Sequence, residues 1–153
     1  MAQKSKKDHI IRSALTLFLE NGFKGTSIDM VVRTSKVSKA TVYNHFPDKS
    51  ALMSAVLSQW IDANKPLIAS LKDSAELDEF VRRHWLTDEA VRFYALVIGE
   101  GWRFPQAKQM FWEQYDHLWR QAFAYVSVNT DSLDSALIEQ QLDHQLMKGL
   151  KRL

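Results

Sequence analysis

The chain has 153 residues, 46% of them apolar and 25% charged, which is globular rather than disordered composition and enough for a sizeable core or a small domain joined to a larger one. It has no cysteine, which excludes disulfides, thiolate metal sites and thiol nucleophiles. Net charge is +2, yet residues 1–50 hold nine Lys and Arg against four Asp and Glu, and residues 51–153 hold eleven against fourteen, so a basic head precedes a mildly acidic body, the pattern of a polyanion-binding module joined to something else.

In chain order, the start "MAQKSKKD" is basic and leads into an apolar stretch. Asp8, Arg12 and Glu20 interrupt that stretch, and no run approaches the roughly 20 apolar residues that span a bilayer, so a cytoplasmic protein without a membrane partner is expected. Ile10, Ile11, Ala14, Leu15, Phe18 and Leu19 recur at spacings of three and four and predict a first helix ending at Asn21-Gly22. Thr26 to Asp29 reads as a capping box, with Thr26 accepting from the Asp29 amide, ahead of a short second helix to Thr34. Ser35 to Val37 makes a tight turn, Ser38 is an N-cap, and a third helix runs to His45. Pro47-Asp48 ends it and caps a fourth helix to about Asn64. Four further helices are predicted at 75–86, 88–100, 105–128 and 131–152, broken at Thr87, Gly99 to Gly101 and Asn129-Thr130. No strand pattern is present, so the fold class is all-α.

Helices two and three with their turn make a helix-turn-helix, whose second helix enters the DNA major groove by its N-terminal part. Val37, Val42 and Phe46 are placed inward, and Ser38, Lys39, Ala40, Thr41, Tyr43 and Asn44 point out. Hydroxyls suit phosphate oxygens, Lys reaches phosphate or guanine, and Asn pairs with adenine. Lys49 opposes the dipole at the start of helix four, a poor structural choice and a sensible phosphate contact.

The segment "TSIDMVVRTSKVSKATVYNHFPDKSALMSAV" resembles the DNA-binding domain of the TetR family of bacterial transcriptional regulators, over roughly residues 8–56. The resemblance rests on Gly22-Phe23, Thr26-Ser27, Val37-Ser38, Tyr43, His45-Phe46, Lys49 and Leu52. It implies phosphate contacts from Thr26, Ser38, Tyr43, His45 and Lys49, with Ser27 beside them, and places Lys39, Ala40, Thr41 and Asn44 nearest the bases. The turn Thr34-Ser35-Lys36 departs from the Ala and Gly usual in the family, so Lys36 must adopt a turn conformation without glycine's ease. Lys4, Lys6 and Lys7 precede helix one and either extend the DNA contact or serve as a solubilising tail.

The resemblance divides the chain into a DNA-binding domain, 1–50, and a helical dimerisation and effector-binding domain, 51–153. The second is rich in aromatics, and "VIGEGWRFPQAKQMFWEQY" resembles the AefR-like subgroup. Trp60, Trp102, Phe111 and Tyr115 are the expected effector lining, with Glu100 or Arg103 as polar anchors; the alternative is that these rings are ordinary core. Leu137, Leu142 and Leu146 are the expected dimer interface. The five histidines fall in no catalytic motif, and Glu113 with His117 reads as a solvated acid–base pair before a metal site, so neither enzyme, metal nor cofactor is expected. A membrane-surface protein is a third option, favoured only by the basic start. The expected function is a homodimeric, sequence-specific regulator that binds a palindromic double-stranded DNA operator, most often a repressor, released by a small hydrophobic ligand.

Overall fold

Helix α1 (Lys6–Asn21) begins at a complete capping box, in which the Ser5 hydroxyl accepts from the Asp8 amide at 3.2 Å and the Asp8 carboxylate accepts from the Ser5 amide at 3.3 Å. Lys6 and Lys7 therefore sit in the first helical turn rather than in a preceding tail, because Ser5 and Asp8 supply the cap the tail was not credited with. The computed structural model describes residues 5–66, 74–128 and 134–153, so Lys4 lies outside the described residues. Ile10, Ile11, Ala14 and Phe18 form the buried stripe of α1, which stops at Gly22 in a positive-φ conformation (φ 76°).

Helix α2 (Ile28–Ser35) is capped by Ser27, which accepts from the Met30 amide at 3.2 Å. The box expected at Thr26 is not formed. Thr26 is buried, and its hydroxyl lies 3.0 Å from the Leu17 carbonyl and 2.8 Å from the Gly22 carbonyl, so it ties the end of α1 instead of opening α2. Lys36 ends α2 in the left-handed region at φ 56°. Helix α3 (Lys39–His45) follows from the Ser38 cap, and α4 (Lys49–Ala63) from Asp48, whose carboxylate accepts from the Ala51 amide at 2.8 Å.

The remaining described helices are α5 (Ser74–Phe80), α6 (Asp88–Glu100), α7 (Pro105–Phe111), α8 (His117–Val128) and α9 (Ser135–Leu150). A π-helical turn, Val81–Trp85, extends α5; a second, Trp112–Asp116, joins α7 to α8. The predicted rod over 105–128 is thus one continuous helical run with an i→i+5 turn inside it, a feature that periodicity of 3.6 does not reveal. The predicted break at Asn129-Thr130 falls outside the described residues, and α9 starts from the Asp134 cap. No strand occurs among the described residues.

The chain forms two compact units, Met1–Trp60 with Leu96–Met110, and Ile61–Ala95 with Phe111–Leu153. The first includes residues 96–110, well past the division at residue 50 expected from the sequence. Its core joins the α1 and α3 stripes to a ring row, with Phe23 5.8 Å from Phe18 and 4.8 Å from Phe104. The second unit is built around Trp85, Tyr94, Phe111, Tyr115, Trp119 and Phe123, all fully or nearly fully buried.

Candidate nucleic-acid interface

Helix α3 has seven residues, too few to hold itself by backbone bonds, and it persists because Val42 and Phe46 are buried and Ser38 caps it. Its apolar positions are spent on anchoring, which leaves Lys39, Ala40, Tyr43, Asn44 and His45 exposed. Thr41 is half-buried, its hydroxyl 2.8 Å from that of Ser38. Ser27 is exposed at the start of α2. The structure thus brings Ser27, Ser38, Lys39, Ala40, Thr41, Tyr43, Asn44 and His45 together on the α2–α3 pair, and Lys6 and Lys7 are exposed on α1.

One ion pair bridges that face. The Lys39 ammonium lies 2.9 Å from the Asp29 carboxylate, both more than half exposed. Hydrogen bonding and charge from Lys39 hold the Asp29 carboxyl below its ordinary value, and Asp29 raises Lys39 in return.

Thr26 and Lys49, both expected to touch phosphate, are committed inside the protein. Lys49 donates to the Phe23 carbonyl at 2.8 Å and the Thr26 carbonyl at 3.0 Å, with its ammonium 4.4 Å from the centre of the Phe23 ring. Burial pushes its pKa down, against the upward pull of Glu100. Glu100 grips the same turn from the other polarity, accepting from the Phe23 amide at 3.0 Å and the Lys24 amide at 2.8 Å. Gly22 is needed twice here: its φ is positive, and a Cβ would run into the Glu100 carboxylate. The turn that positions α2 is therefore held through its amides by an acid and through its carbonyls by a base. Sequence reasoning missed Glu100, although a signal existed. Glu100 at the C-terminus of α6 and Lys49 at the N-terminus of α4 both carry the wrong sign for their own helix dipole, which marks a charge serving some other partner.

The expected effector residues fall in both units. Trp60 and Phe111 are buried in different units, Tyr115 is fully buried, and Trp102 is exposed with the Arg103 guanidinium 4.1 Å from its ring centre. Glu100 is occupied by the turn and lies 3.8 Å from Arg103. Of the expected interface leucines, Leu142 and Leu146 are buried within their own chain and only Leu137 is exposed, because the inner face of α9 runs through Ile138, Leu142 and Leu146 and Leu137 stands one residue off it. Among the described residues, no group of three acidic or histidine side chains is placed to hold a metal, and no helix is long and apolar enough to cross a membrane.

Residues 10–56 match the family model described as bacterial regulatory proteins, tetR family. The N-terminal module belongs to the tetR family. This tetR-family module is shared with the HTH-type transcriptional regulator RutR of Escherichia coli (strain K12), 35% identical over 112 residues, 72% of this chain and 48% of that one. The chain spans only 29–56% of the length of the curated relatives it matches. Among solved structures, Salmonella enterica GusR superposes with a TM-score of 0.67 at 21% identity, covering 95% of this chain and 82% of that one, which is a likeness of fold. The flavonoid-responsive regulator FrrA superposes with a TM-score of 0.58 at 26% identity, covering 96% of each chain. The tetR-family architecture, an N-terminal helix-turn-helix followed by a helical domain, is the fold seen here.

Proposed function

We propose that the chain is a homodimeric, sequence-specific regulator that represses transcription from a palindromic double-stranded DNA operator in the cytoplasm, and that a small apolar ligand releases it. The observation that carries the reading is the outward face of α3, where Lys39, Tyr43, Asn44 and His45 are exposed on a helix whose packing consumes none of them. Ser27, Ser38, Tyr43 and His45 are assigned to phosphates, and Lys39, Ala40, Thr41 and Asn44 to base edges, with Lys6 and Lys7 adding general attraction to the backbone.

One recognition helix reads too few base pairs, so two copies act about one helical turn apart, roughly 34–36 Å. Exposed apolar residues on the last two described helices that suit such a dimer are Leu118 on α8 and Leu137 and Met147 on α9, each at least a third exposed. They replace Leu142 and Leu146 in the proposed interface. For the effector, the reading uses a buried polar network of the aromatic second unit, whose own hydrogen bonds the ligand must displace. The Trp85 indole donates to Tyr94, Tyr94 donates to Asp116 at 2.7 Å, and the Tyr115 hydroxyl donates to the Trp85 carbonyl. Both π-helical turns contribute to it, and such turns recur at functional sites. The name of FrrA, a flavonoid-responsive regulator, supports a planar aromatic compound as the ligand class. Such a ligand acts only through differential affinity for two arrangements of the protein, typically coupled by about 1–3 kcal/mol.

The test is selection of bound fragments from random DNA, followed by titration of aromatic compounds against the complex. A palindromic consensus with affinity falling steeply in salt is expected; absence of retention on any fragment at low salt overturns the reading.

A further inference from the structure

The Asp29–Lys39 pair has no packing role, since both side chains are more than half exposed, yet it joins the first turn of α2 to the first residue of α3 on the face assigned to DNA. It sets an acceptor and a donor 2.9 Å apart on that face. The lysine spends one N–H on the carboxylate and keeps two. The carboxylate makes that bond through Oδ1 and has its second oxygen, Oδ2, to accept another donor. Few base-pair edges match that arrangement. In the major groove a G·C pair shows two neighbouring acceptors, guanine N7 and O6, beside one donor, the cytosine amino group, and O6 is separated from that amino group by a single hydrogen bond of about 2.9 Å. An A·T pair alternates acceptor, donor, acceptor and methyl, so an ammonium there meets one acceptor at a time.

We propose that Asp29 and Lys39 act as one specificity-determining couple that reads a G·C base pair in each half-site, Lys39 bridging guanine N7 and O6 while Asp29 accepts from the cytosine amino group. The inference rests on the DNA-binding reading above and adds to it a residue, Asp29, that no positive-charge argument selects. Asp29 has a second consequence. A carboxylate on the docking face repels phosphate, so it lowers affinity for DNA that lacks the matching pair, where a lone lysine would bind any sequence through the backbone. The couple trades general affinity for discrimination.

The experiment uses the full chain, the selected operator and a matched random duplex, with every half-site base pair replaced in turn. Asp29→Ala, Lys39→Ala and the double variant are compared with wild type, their melting temperatures serving as the folding control for these exposed positions. At one position per half-site, wild type should favour G·C about tenfold, as expected for a good base contact. Each single variant should lose most of that preference, and the double variant should lose no more than either single one, because the two residues act as a unit. Asp29→Ala should also bind random DNA more tightly, and Lys39→Ala less tightly. Unchanged base preference in Asp29→Ala, or a uniform loss on all sequences, overturns the couple while leaving the DNA-binding reading in place. A wild-type protein that retains no DNA overturns both.

Discussion

The outer face of α3 and the aromatic interior of the second unit use polar side chains in opposite ways. On α3 the polar groups stand in water, and the helix is held by Val42, Phe46 and the Ser38 cap behind them. In the second unit Trp85, Tyr94, Tyr115 and Asp116 are enclosed and satisfied one by one. Asp116 accepts from Tyr94 and from Arg120, and Arg120 reaches on to Glu139 and Asp143, each at 2.8 Å. Burial first, and the Asp116 charge second, push the Tyr94 hydroxyl far above its ordinary range, so it stays a neutral donor. Burial would lower Arg120, but Asp116 and Asp143 outweigh it and hold the guanidinium charged. Among the described residues no buried side-chain nitrogen or oxygen lacks a hydrogen-bond partner. The difference separates two kinds of residue: those whose loss is felt in folding and those whose loss is felt only at a partner.

That separation is most sharply tested at Leu142. It is 1% exposed on α9, so Leu142→Asp buries a carboxylate in the second unit and should cost about 4 kcal/mol or more. Denaturant unfolding should show a lost or strongly shifted transition. A protein that melts as wild type but sediments as a monomer would instead return Leu142 to the dimer interface. Asp116→Ala is next. It leaves the Tyr94 hydroxyl and the Arg120 guanidinium short of an acceptor and should cost about 2–3 kcal/mol. Equilibrium unfolding measures this, and an unchanged midpoint would show that the enclosed network carries no stability.

Lys49 lies between the two kinds. Because it donates to the Phe23 and Thr26 carbonyls, Lys49→Met should lower stability by about 1–2 kcal/mol and weaken binding to all DNA sequences together. If the melting temperature holds and only DNA affinity falls, Lys49 is a phosphate contact after all. At Lys36, where φ is 56°, Lys36→Gly should raise stability by about 1 kcal/mol, read as a small upward shift in the thermal midpoint. The smallest folding effect belongs to Tyr43→Ala, within about 0.5 kcal/mol, with operator and random DNA weakened by similar factors. A large loss of stability in that variant would erase the distinction between the two faces.

The reading of helix ends shows how much local sequence carries. Gly22 after α1, Ser38 before α3 and Pro47-Asp48 before α4 act through their own backbone chemistry, and each sits where the residue type alone placed it. The cap of α2 moved from Thr26 to Ser27 because two neighbouring hydroxyls were equally able to cap it, and only the carbonyls of Leu17 and Gly22 decided which one turned inward. Of the site, the exposed row on α3 was legible because a short amphipathic helix has one place for its polar residues.

The sequence by itself determined the all-α class, the helix-turn-helix and the residues on its outer face, since periodicity, caps and turns are local and each residue carries its own signal. Tertiary structure alone decided which charges are free. Lys49 and Glu100 are 51 positions apart, and the 22–26 turn takes its carbonyl partner from one and its amide partner from the other. Leu137 and Leu142 share a helix and a residue type, yet one faces outward and the other lies in the core. Such assignments depend on what packs against a side chain from far along the chain, and a burial or a hydrogen bond made at that range leaves no mark in the spacing of residues that a one-dimensional reading can follow.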